Sequence, residues 1–170
     1  MVAVLAVKWS FGFEGGKDMR PLRVLLVVFA LSLGLLAAES PFNGTWKLNV
    51  SKSKMSPPAP QSETVHVDAD DNSIRLTDDL TDDKGQPMKI GYEAKFDGND
   101  YPMTGNPDAD SISFQRIDAN TLKGTAKKGG KVTEELTVVV SKDGKTTTVN
   151  YTETDAQGRM IKGSAVYDKQ

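Results

Sequence analysis

Phe42-Asn43-Gly44-Thr45-Trp46-Lys47-Leu48-Asn49-Val50 decides how this chain is read. Trp46, Leu48 and Val50 alternate with Thr45, Lys47 and Asn49. A period of two puts the apolar side chains on one face of a strand and the polar ones on the other. A strand over 45–50 is expected. Ser51 to Gln61 then turns polar and holds Pro57, Pro58 and Pro60, which reads as a loop. Runs with the same alternation predict further strands at 62–69, 73–81, 87–96, 101–104, 110–117, 121–128, 131–141, 145–154 and 159–168.

The connections agree with this pattern. Asp97-Gly98, Gly129-Gly130 and Asp143-Gly144 are tight-hairpin dipeptides. Asp82-Asp83-Lys84-Gly85 and Asp155-Ala156-Gln157-Gly158 are four-residue turns. No stretch after Ala38 has helical apolar spacing. The expected fold is all-β: one antiparallel up-and-down barrel of about ten strands, with an eight-stranded barrel or a β-sandwich as alternatives.

The segment before this domain reads differently. Met19-Arg20-Pro21-Leu22-Arg23 is basic, Val24 to Leu36 is apolar, and Ala37-Ala38 are small. That order is the order of a secretory signal peptide. The apolar run spans about 20 Å at roughly 1.5 Å per residue, short of the roughly 30 Å hydrocarbon core. Residues 19–38 are therefore expected to be a signal peptide cleaved near Ala38. Glu14 and Asp18 do not suit a basic leader start, and residues 1–18 read as a non-native extension ahead of the true start at Met19. The barrel domain is 39–170, secreted or periplasmic, with no stable membrane span.

Composition removes many functions. The 170 residues include no Cys and a single His, His66, at a net charge of -2. Disulfides, thiolate metal sites, cysteine nucleophiles and a multi-histidine metal site are excluded within one chain. The charge balance rules out a broad basic surface for nucleic acid. His66 falls opposite Val65 and Val67, on the solvent side of its strand, so no Ser-His-Asp arrangement is expected. Asp68-x-Asp70-x-Asn72 opens like a calcium loop, but Ser73 stands where its glycine belongs. These acids, and Asp78, Asp79, Asp82 and Asp83, are expected to be solvated turn residues. The N-x-S/T triplets at Asn43, Asn49 and Asn150 fall in or beside strands, which argues against glycosylation. No catalytic residue, metal or cofactor is expected.

Phe42 to Leu48 resembles the opening of the calycin superfamily. Lipocalins begin their first strand with G-x-W, and the fatty-acid-binding proteins with a similar F-x-G-x-W-K-L. Val166-Tyr167-Asp168-Lys169 resembles the closing run of the latter. The chain is also similar to small secreted bacterial proteins described as lipocalin-like. The resemblance implies a barrel whose first-strand Trp, here Trp46, plugs one end, with Gly44 allowing close approach beneath it. It also implies a small apolar ligand. Two features depart from the family pattern. The loop 51–61 has no room for a helical lid. Ala165 stands where the fatty-acid-binding proteins carry an Arg, so their carboxylate anchor does not carry over.

Alternation then names an interior. Leu48, Val50, Val65, Val67, Ile74, Leu76, Met88, Ile90, Ala94, Ile112, Leu136, Val138, Val140, Val149 and Ile161 would supply its aliphatic part. Tyr92, Phe96, Phe114, Arg116, Tyr151 and Tyr167 are the candidate ligand-binding residues, since they add aromatic rings, hydroxyls and one cation. The expected function is non-covalent binding of a small apolar or amphipathic molecule, with a neutral amphiphile held at least as well as a fatty acid. The alternative is a filled barrel acting as a structural or protein-interaction module.

Overall fold

A computed structural model describes residues 39–154 and 158–170. The expected extension at 1–18, the signal peptide at 19–38 and most of the turn at 155–158 lie outside the described residues. Every regular element among the described residues is a strand: β1 Gly44–Leu48, β2 Ser62–Ala69, β3 Ser73–Thr81, β4 Pro87–Lys95, β5 Tyr101–Thr104, β6 Ser111–Asp118, β7 Thr121–Lys128, β8 Lys131–Val140, β9 Thr146–Thr154 and β10 Met160–Lys169. Each strand pairs with the next, and β10 returns to pair antiparallel with β1. The sheet closes into one ten-stranded up-and-down barrel, so the eight-stranded and sandwich alternatives fall away. Among the described residues, no helix is long and apolar enough to cross a membrane.

Local chemistry sets the hairpins. Between β2 and β3, Asp70 Oδ1 accepts backbone N–H bonds from Asn72 and Ser73, both at 2.7 Å. Those bonds, first of all the one from Asn72, hold the Asp70 carboxyl below its ordinary range. The calcium-like spacing is thus a turn that uses its own acid. Between β7 and β8, Gly129 and Gly130 take φ of 56° and 78°. Side chains tolerate that region poorly, and a primed turn requires it.

One strand is shorter than its alternation suggests. β1 stops at Leu48, because the Asn49 carbonyl accepts the N–H groups of Lys52 and Ser53 and turns the chain. Val50 is consequently 54% exposed and not interior. The loop that follows is stitched back onto β10. Lys54 and Ser164 exchange backbone hydrogen bonds at 2.7 and 2.8 Å, and Met55 packs against the core.

The register aligns the inner face in tiers. Trp46 pairs with Val65, Val65 with Asp78, and Asp78 with Ile90. Leu136 pairs with Tyr151, and Val138 with Val149. The outer face carries charge, with ion pairs Arg75–Glu93 at 2.8 Å and Lys89–Asp79 at 3.0 Å. Both couple exposed side chains across strands and contribute at most about 1 kcal/mol each. His66 is exposed beside the Thr45 hydroxyl, 3.0 Å from Nδ1.

Candidate functional site

The inner faces do not fill the barrel. A cavity of about 220 Å³ remains. Val65, Val67, Leu76, Ile90, Leu136 and Val149 supply its aliphatic walls, and Trp46, Phe42, Tyr92, Phe114 and Tyr167 its aromatic ones. Tyr92 and Phe114 meet as a tilted pair with centroids 5.7 Å apart. The volume is modest. An apolar cavity of roughly 150 Å³ admits benzene, so this space suits a compact molecule of about nine non-hydrogen atoms.

Three carboxyls also line this apolar space: Glu63 from β2, Asp78 from β3 and Glu134 from β8. Tyr167 donates its hydroxyl to Glu63 Oε1 at 2.8 Å. The Glu63 and Asp78 carboxyls are close enough to hydrogen-bond to each other, which takes a shared proton. Burial raises all three, because a charged carboxylate loses its hydration there. Asp78 is pushed up to about 8, by burial first, then by the charge and hydrogen bond of Glu63 and the charge of Asp79. Glu134 reaches about 7, through burial and the charges of Glu153 and Glu63. Glu63 is raised by burial, against the lowering effect of its bonds to Tyr167 and Asp78. Tyr167 is raised well above the usual phenol range by burial and by the Glu63 charge. Among the described residues, no ion pair reaches any of the three carboxyls.

Polar atoms in this wall also lack partners. Among the described residues, nothing hydrogen-bonds to the buried Asp78 Oδ1 and Thr147 Oγ1, and both side chains line the cavity. Buried polar groups are nearly always satisfied, so such atoms ask for an explanation. Among the described residues, no three His, Asp or Glu side chains converge closely enough to hold a metal ion. Glu63 and Asp78 sit together, and the three carboxyls do not form a cage.

Of the residues singled out in the sequence, Trp46, Tyr92, Phe114 and Tyr167 line this cavity. Phe96, Arg116 and Tyr151 are not among its lining residues. Arg116 is committed elsewhere: its guanidinium lies 4.5 Å from the Phe96 ring centre and 5.6 Å from that of Phe42, and Nη2 donates to the Asp70 carbonyl at 2.8 Å. It pins the β2–β3 turn to the aromatic end of the barrel. Tyr151 shares the inward parity, but its ring lies against Gly163, where an added Cβ would fall 2.3 Å from the phenol. Trp46 is 3% exposed, and its indole N–H donates to the Phe42 carbonyl at 2.8 Å. Gly44 has a φ of 124°, and a Cβ there would meet Lys169 Cε at 2.8 Å. The bare glycine lets the Lys169 side chain pass and set its ammonium 5.1 Å from the Trp46 ring centre.

Glu63, Asp78 and Glu134 were not expected here, and Asp78 was expected in water. It is 6% exposed. The signal was present in the alternation. Glu63 shares parity with Val65, Asp78 with Leu76, and Glu134 with Leu136. Acidic residues read by type point outward; read by position, these point in. Phe42, Met103, Leu122 and Thr147 also line the cavity without having been singled out. No family model and no curated protein matches this chain.

Proposed function

We propose that this chain is a secreted, calycin-like barrel that binds a small and largely apolar molecule in its interior. The carrying observation is the cavity of about 220 Å³ walled by aliphatic and aromatic side chains. Native interiors are packed like organic crystals, and a void of this size forfeits packing energy unless something occupies it. The volume supports a compact ligand over the full length of a long-chain lipid. Ala165 offers no charge to a carboxylate, and the acids in the wall disfavour one. The filled-barrel alternative loses support for the same reason that the cavity gains it. Export rests on the basic, apolar, small order of residues 19–38 and is checked by N-terminal sequencing of the exported protein, expected to begin near Glu39.

Titration with 2-phenylethanol, followed by NMR of the Tyr92 and Phe114 rings, tests the binding reading. A probe of this size should bind with a dissociation constant of about 0.1–1 mM, which corresponds to about 0.5 kcal/mol per non-hydrogen atom. Leu136→Trp, which puts an indole into the cavity, should abolish those shifts. Ring shifts that persist in Leu136→Trp, or that never occur in the wild type, would refute interior binding.

A further inference from the structure

We infer that the occupant of the barrel is a small organic cation: a protonated amine on a compact apolar body, its charge set against Glu63 and Asp78. This deepens the reading of the cavity as a ligand site and rests on it. Three observations converge. The first is chemical. Glu63, Asp78 and Glu134 face the same apolar space, and among the described residues no ion pair reaches them. Burying carboxyls without a cation is costly, and evolution of an empty core would favour apolar residues in their place. The second is geometric. Asp78 and Thr147 both line the cavity and are more than nine-tenths buried, at 6% and 8% exposure, and among the described residues Asp78 Oδ1 and Thr147 Oγ1 have no hydrogen-bond partner. An ammonium carries the donors that Asp78 Oδ1 lacks, and hydroxyls such as that of Thr147 accept such bonds as well. The third is the arrangement of the acids, with Glu63 and Asp78 together in an otherwise largely apolar wall. They do not converge as metal ligands do. An extended cation, charged at one end and apolar at the other, matches a wall that is acidic in part and aliphatic for the rest.

The groups that act most strongly on these carboxyls are themselves acidic or phenolic. Tyr167 of β10, Asp79 of β3 and Glu153 of β9 act on them, and Tyr92 of β4 feels Asp78 and Glu134 in return. With no cation beside them, Asp78 and Glu134, pushed up to about 8 and about 7, keep protons near neutral pH, and a bound ammonium would displace them. An amine is charged below about pH 10, so affinity for it should rise as the carboxyls ionise.

The test compares 2-phenylethylamine, 2-phenylethanol and phenylacetate, which share one apolar body and differ in the head, by calorimetry from pH 6 to 8.5. The amine should bind at least tenfold more tightly than the alcohol at pH 8. Its advantage should grow with pH, and its binding should release protons, read as a heat that depends on the buffer. Phenylacetate should bind more weakly than the alcohol. In Asp78→Asn the ratio of amine to alcohol affinity should fall towards one. An amine no tighter than the alcohol, with the alcohol bound, overturns the cation assignment and leaves the cavity reading intact. Absence of binding by all three overturns both.

Discussion

Asp78→Asn removes a buried acid while keeping its shape, and its effect should depend strongly on pH. Asp78 is raised from 3.8 to about 8 in the folded chain. Below about pH 4, folded and unfolded chains both hold the proton. As pH rises from about 4 to about 8, the unfolded chain releases it and the folded chain keeps it. The folded state then binds more protons, so the wild type loses stability as pH rises, until Asp78 ionises near 8. Each pH unit of that interval is worth about 1.4 kcal/mol, which sets an upper bound on the order of 6 kcal/mol. Glu63 shares the titration, so the cost is divided between the two carboxyls and about half that bound is expected. Asn carries no charge at any pH, and its amide can donate to Glu63. The variant should match the wild type near pH 4 and exceed it by about 3 kcal/mol at pH 9. Urea unfolding of both ligand-free proteins across that range measures the difference directly. Stability curves that stay parallel from pH 4 to 9 would refute the argument, because Asp78 would then hold an ordinary carboxylate in the folded state.

Other substitutions test the frame of the site. Trp46→Ala should cost about 3–5 kcal/mol by denaturant unfolding, as for other large core aromatics, while Lys47→Gln on the outer face stays within about 0.5 kcal/mol. Gly124→Ala should cost about 1–3 kcal/mol, because the new methyl would sit 2.7 Å from Phe114 Cε1 and 3.1 Å from Leu136 Cγ. Tyr167→Phe should raise the Glu63 carboxyl further, since the phenol's hydrogen bond lowers it, and carbon-detected NMR titration of the Glu63 side chain reads that shift.

Strand positions and the barrel class were legible in the residues alone. Alternation and turn chemistry are local, and they placed β2, β3, β5 and β7 at the residues where the structure has them. Where local logic met a local competitor, the strand ended early: Asn49 caps a turn and removes Val50 from the inner face. The alternation also carried the inward parity of Glu63, Asp78 and Glu134. Their meaning, however, depends on closure of the sheet. Glu63 reaches Tyr167 only because β10 returns to β1, and that contact spans 104 residues. The same closure decides that Phe96 and Arg116 pack at the aromatic end while Tyr92 and Phe114 face the void. A strand pattern determines which side of the wall a residue occupies. How far the opposite wall stands, and whether a void or a partner lies between, is set by the tertiary packing of all ten strands, because distance across a barrel depends on every strand that closes it.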